Sequence, residues 1–206
     1  MSHKKARTRI ITKKIENEHI NIAYPQLKLK HKKVQHKINN LIVDMIQSFI
    51  EKETNKFSEQ RDIYGEYNIT LNERNLLSLI IEFYSCLPGQ NIAFNLLKSL
   101  TINTREAYIY NLKDLFYEGS NYEYIINKII LEDIKENSIP IIEEFANINK
   151  NRKFYLTEDC LIIYYELNKN SKYAYIYSSP QFIIPFNSIK DIINPKGPIV
   201  KLFYEE

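Results

Sequence analysis

The forty residues from Phe154 to Ile193, FYLTEDCLIIYYELNKNSKYAYIYSSPQFIIPFNSIKDII, constrain the fold of this chain more than any other stretch. Leu161 to Tyr165 are β-branched or aromatic apart from the one leucine, and so short an apolar run predicts a mostly buried strand. Phe182 to Phe186 predicts a second. Pro180 and Pro185 flank it, and proline cannot donate to a ladder, so this strand is expected at a sheet edge or with interruptions at its ends. Between the two, Tyr173, Tyr175 and Tyr177 alternate along the chain, so in an extended conformation they share one face. Tyrosine offers a wide apolar ring and a hydroxyl at little entropic cost, which makes this row the candidate ligand-binding surface. The competing role for the same row is a strand that covers core.

The N-terminal half reads as strands against one long helix. Lys5, Arg7 and Arg9 alternate with Ala6, Thr8 and Ile10, and Ile11 to Ile15 continues extended, an edge strand with a charged face that discourages pairing with other chains. His19 to Tyr24 alternates again and stops at Pro25. Over residues 30–57, Val34, Ile38, Leu41, Ile42, Met45, Phe49 and Ile50 fall on one helical stripe. Tyr67, Ile69 and Leu71 predict a half-buried strand, the turn follows at Asn72 to Asn75, and Leu77, Leu79, Ile81 and Phe83 form the inward row of its antiparallel partner. Pro88-Gly89 marks the next turn, and Asn91 to Thr104 returns as a third strand. A second amphipathic helix spans Asn121 to Glu136, capped by Asn121 or Ser120. Pro140 opens a short third helix that ends near Ala146, and Ile199 to Tyr204 is a final strand. The expected class is α+β: an antiparallel sheet packed on one long helix, residues 6–104, joined to a smaller α/β C-terminal half, residues 105–206.

Reactive constellations are sparse. The histidines, His3, His19, His31 and His36, all lie within the first 36 residues, and none sits in an HExxH pattern. His31 and His36 diverge by about 140° on a helix, which argues against joint metal binding. Four scattered glycines make no phosphate-cradling loop. The acidic pairs Glu132-Asp133, Glu143-Glu144 and Glu158-Asp159 could in principle serve a glycosidase, yet paired acids are usually a solvated face. No catalytic residue, cofactor or metal is therefore assigned. Cys86 and Cys160 lack metal-ligand spacing and are expected as reduced, partly buried thiols.

Charge is uneven. Residues 1–40 carry eleven Lys and Arg against Glu16 and Glu18, or +9, while the remainder carries 17 basic against 23 acidic residues, or −6. Lys30, Lys32, Lys33 and Lys37 crowd the start of the long helix, where the macrodipole disfavours positive charge by about 0.3–1 kcal/mol each. They are the candidate contacts for an anionic partner, with a solvated helix start as the plain alternative. No apolar run approaches the roughly 20 residues that span a bilayer, and Met1 to Lys14 lacks the apolar centre of a secretory signal. Taken literally, the chain stays in the cytoplasm.

The run KFYLTEDCLIIYYEL followed by PQFIIPFNSIKDII, together with IAYPQLK at Ile22 to Lys28, the VQHKIN helix and YNLKDLFYEG at Tyr110 to Gly119, resembles the extracytoplasmic region of RsiV-type anti-sigma factors. The same domain stands beside the deacetylase of PdaC-like cell-wall enzymes. Where relatives often carry Gly-Gly-Ala-His-Gly, this chain has Ser85 to Asn91 without a histidine. The resemblance implies non-enzymatic recognition of lysozyme or a cell-wall-related ligand, and a location outside the membrane if an anchor preceded the chain. The alternative is a cytoplasmic protein that binds nucleic acid or another anionic partner through its basic N-terminal region.

Overall fold

A computed structural model describes residues 7–56, 60–89, 94–139, 148, 152–165 and 180–203. The strands β1 (Arg9–Glu16) and β2 (Ile20–Lys28) form a hairpin, followed by the helix α1 (Lys32–Lys56). Then come β3 (Asp62–Glu73), β4 (Leu76–Cys86), β5 (Phe94–Asn103) and the short β6 (Tyr108–Ile109). These six strands make one sheet in the order β1-β2-β3-β4-β5-β6. β1 is indeed at its edge, but it starts at Arg9, with Arg7 and Thr8 before it and Lys5 outside the described residues.

All neighbours pair antiparallel except β2 and β3, which run parallel where Ile20, Ile22 and Asn21 meet Ile63, Gly65 and Tyr64. A simple antiparallel arrangement fails here because α1 lies between the two strands in sequence. The helix carries the chain back along the sheet, so β3 starts at the same end as β2. A Cβ on Gly65 would stand 2.9 Å from Ile22 Cγ2, so the absence of a side chain permits this close parallel approach.

The helical stripe packs as its spacing dictates. Ile38, Ile42, Phe49 and Ile50, joined by Ile46, meet Leu77, Leu79, Ile81 and Phe83 of β4 in one apolar cluster. Phe49 and Phe83 stack with ring centroids 4.4 Å apart. Arg74 and Asn75, with φ of 51° and 61°, make the tight turn between β3 and β4, the left-handed pair that a two-residue hairpin loop favours. One irregularity shifts the expected alternation. The register slips between Ile69 and Leu71, so Leu71 pairs with Ser78 and joins the opposite face. Such a bulge puts the residues beyond it on the other side of the strand.

The second layer is α2 (Tyr122–Glu136) with the sheet β7 (Phe154–Leu156), β8 (Cys160–Tyr164) and β9 (Gln181–Pro185). β8 is central and buried, and β9 is an edge, as the prolines require. The free edge of β7 lies against the back of the large sheet, where serine hydroxyls replace a strand partner. Leu156 N–H donates to Ser78 Oγ at 2.9 Å, Ser99 Oγ donates to Phe154 O at 2.6 Å, and Tyr164 OH donates to Ser99 Oγ at 3.0 Å. Thus β4 is buried on both faces from Leu76 to Ile81, by α1 on one and by the small sheet on the other. The result is α+β, a largely antiparallel sheet on one long helix with a smaller second sheet region.

Three expectations need correction or placement. The chain after Pro198 is a helical turn, α3 (Val200–Phe203), not a strand. Ile199, Leu202 and Phe203 have the i, i+3, i+4 spacing of a helix, Ile199 is buried, and Phe203 meets Phe186 edge-on at 5.9 Å. Asn121 occupies the cap position of α2, but its side chain makes no capping hydrogen bond. The helix expected from Pro140 to Ala146 lies outside the described residues. Among the described residues, no helix is long and apolar enough to cross a membrane.

Candidate functional site

At the end of the large sheet where β1 begins and β2 ends, a groove of about 490 Å³ opens. Arg7, Thr8 and Arg9 line one side, Lys28, Leu29, Lys30 and His31 another, and Asn75, Thr104 and Arg105 the third. Among the described residues, no carboxylate lines it. Arg9 and Lys28 are directly opposite each other in the antiparallel register, an arrangement of like charges that destabilises a strand pair. The helix α1 starts one residue after His31 with no acid in its first turn, so its dipole adds positive potential at this end.

The backbone under these cations is fixed by side-chain amides. Beyond Ile22 β2 has parted from β3, which would leave β2 with unpaired backbone groups on that side. Asn39 of α1 fills the role of the missing strand: its Oδ1 accepts Leu27 N–H at 2.8 Å and its Nδ2 donates to Leu27 O at 3.1 Å. One turn earlier Gln35 Oε1 accepts Leu29 N–H at 2.9 Å. Asn72 repeats the two-bond clamp on Thr8, accepting from its N–H and donating to its O, both at 2.8 Å. Thr8 Oγ1 donates to Thr104 Oγ1 at 3.3 Å, and Thr104 N–H donates to Asn75 O at 2.8 Å. Each segment that carries the groove's cations is therefore tied to its neighbour.

The face of the large sheet opposite α1 carries a different chemistry beyond the area that β7 covers. Glu66 and Glu82 are opposite each other across β3 and β4, and Tyr64 and Tyr84 form the next pair on that face. A cleft of about 260 Å³ is lined by Glu66, Tyr67, Asn68 and Glu82. Tyr84 OH donates to Glu82 Oε2 at 2.7 Å, and this bond, with burial and the charge of Glu82 behind it, pushes the phenol up to about 12. Burial pushes Tyr122 up to about 12 as well. The unfolded chain ionises its tyrosines near 10 while the folded one holds these two protonated, so stability is complete below pH 10 and declines as pH rises towards 12. Urea titrations at pH 9 and pH 10.8 should show the decline, and Tyr84→Phe should make it shallower; an unchanged slope in that variant would mean Tyr84 is not responsible.

The residues singled out from sequence separate clearly. Lys30 lines the groove. Lys32, Lys33 and Lys37 are exposed on the first turns of α1, with Lys32 Nζ donating to Leu29 O and Gln35 Oε1 at 3.4 Å each. Tyr173, Tyr175 and Tyr177 lie outside the described residues, as do Glu143 and Glu144. Glu158 and Asp159 are exposed in the β7–β8 turn, and Glu132 reaches Lys128 at 3.9 Å. His19 Nδ1 meets Asp62 Oδ1 at 2.9 Å beside the parallel pair. Cys86 and Cys160 are free and half-buried, and burial with the neighbouring Asp159 raises the Cys160 thiol. Arg7, Arg9, Lys28 and Arg105 escaped singling out. The first three were legible only as part of a charged N-terminal region, and Arg105 carries no local signal.

Residues 113–187 match the family described as Protein of unknown function (DUF3298), a little over a third of the chain. Two solved structures share the overall fold. A DUF3298 family member from Bacteroides fragilis is 17% identical with a TM-score of 0.65, over 96% of this chain and 98% of its own. A DUF3298 family protein from Pseudomonas aeruginosa is 13% identical with a TM-score of 0.62, over 100% of this chain and 99% of its own. No curated protein matches the chain.

Proposed function

We propose that this chain is a non-enzymatic recognition module of the RsiV type, whose ligand is lysozyme or a cell-wall-related molecule. The observation that supports this reading is an overlap of ranges: the match over residues 113–187 falls on the stretch, Tyr110 to Gly119 and Lys153 onward, that carries the RsiV-type resemblance. The acidic and aromatic face of Tyr64, Glu66, Glu82 and Tyr84 adds suitable chemistry, because paired carboxylates beside tyrosine rings suit a partner that presents lysine or arginine. Titration calorimetry with lysozyme at moderate salt tests it. Saturable binding is expected, weakened about tenfold or more when Tyr173, Tyr175 and Tyr177 are all changed to alanine, as for a cluster of interface tyrosines. Binding that survives that variant but falls with Glu66→Gln and Glu82→Gln would move the contact to the large sheet. No binding at all would end the lysozyme reading.

A second reading is supported by the basic groove: recognition of an anionic partner through the N-terminal region, in which Lys30, Lys32, Lys33 and Lys37 would take part. Phosphate-driven binding weakens steeply with salt, whereas tyrosine-driven recognition responds little.

A further inference from the structure

We propose that the groove bounded by Arg7–Arg9, Lys28–His31 and Thr104–Arg105 is a binding site for a small oligophosphate, a ligand with two or more adjoining phosphoryl groups. This deepens the second reading, anion recognition by the N-terminal region, and depends on it.

The charge count comes first. Arg7, Arg9, Lys28, Lys30 and Arg105 converge on a groove of about 490 Å³ that no carboxylate among the described residues lines. None of the five makes an ion pair with another described residue. The opposition of Arg9 and Lys28 is a local cost that an anion between them would remove. A single phosphate leaves most of this charge unmatched, whereas a chain of two or three phosphoryl groups meets it. Arginine forks suit phosphate oxygens in pairs, and lysines serve them as point charges.

Shape and stiffness point the same way. The volume is that of a small-molecule site. The clamps of Asn39 on Leu27, Gln35 on Leu29 and Asn72 on Thr8 hold the cation-bearing backbone in place before any ligand arrives, so less ordering entropy opposes binding. Thr8, Asn75 and Thr104 supply neutral polar groups between the cations.

Calorimetry of the whole chain at about 0.1 M salt, with inorganic tripolyphosphate as the probe, tests the site. One-to-one binding is expected, about tenfold or more tighter than orthophosphate. Arg9→Gln and Arg105→Gln, both exposed and on separate segments, should each weaken it about tenfold, the effect of a charge-assisted contact. The triple variant Lys32→Gln, Lys33→Gln, Lys37→Gln should stay within about twofold. Circular dichroism melts of each variant establish that the fold is retained. Equal losses in the groove and helix variants, or orthophosphate binding as tightly as tripolyphosphate, would overturn the site while leaving anion recognition intact. Tighter binding of a twenty-nucleotide single strand, lost in the helix variant, would overturn it in favour of nucleic acid. No binding of any of these anions would remove the groove assignment and the second reading together, without touching the lysozyme reading.

Discussion

Phe83→Ala is expected to remove about 3–5 kcal/mol of stability, the range for deleting a fully buried aromatic ring. Phe83 is 0% exposed and lies under α1, stacked on Phe49 at 4.4 Å. The rest of the apolar cluster between α1 and the sheet holds the two layers apart, so the space left by the ring is only partly refilled. A domain's whole stability is about 5–15 kcal/mol, so the variant should melt roughly 10 °C or more below the parent. Tyr64→Ala is the control: Tyr64 is 46% exposed on the opposite face, and a surface truncation should stay within about 0.5 kcal/mol. Equal melting points for the two variants would show that the stacked pair is not the centre of the core.

The reason β4 was only half legible is that its sequence describes both of its faces at once. Leu77, Leu79, Ile81 and Phe83 alternate as an inward row, and α1 covers them. Leu76, Ser78 and Ile80, between them, are just as buried, because the small sheet lies on their side. A serine in that row looks like an outward residue until a strand edge is found hydrogen-bonded to it. Similar limits apply elsewhere. The stripe of α1 and the proline-flanked edge of β9 are local patterns, and they were readable. The parallel contact at Gly65, the bulge before Leu71 and the helical turn after Pro198 depend on what is packed against them. In the groove, Lys30 could be read from a local cluster, but Arg105 is 75 residues away and arrives only through the β5–β6 turn.

Asn39→Leu is expected to cost about 2–5 kcal/mol, more than an ordinary change of one side chain on a helix. The stripe periodicity of α1 gives no reason for an amide at this position, which is 9% exposed between the buried Ile38 and Ile42. Its role comes from the sheet: β2 keeps its parallel partner only as far as Ile22, and Leu27 is 0% exposed with both backbone groups bonded to Asn39. Leucine has asparagine's branching and heavy-atom count but offers no polar atom. The loss would therefore come from a buried N–H and a buried carbonyl left without these partners, at about 1–3 kcal/mol for each group. Hydrogen exchange separates this from a packing defect: the Leu27 amide should lose its protection in the variant under conditions where the β4 amides keep theirs. Lys28 follows Leu27 directly, and in this account the cations of the groove are useful because their backbone is fixed. Tripolyphosphate binding should accordingly weaken in Asn39→Leu, although Asn39 does not line the groove. Full affinity in a variant with an unprotected Leu27 amide would show that the clamp serves the fold alone.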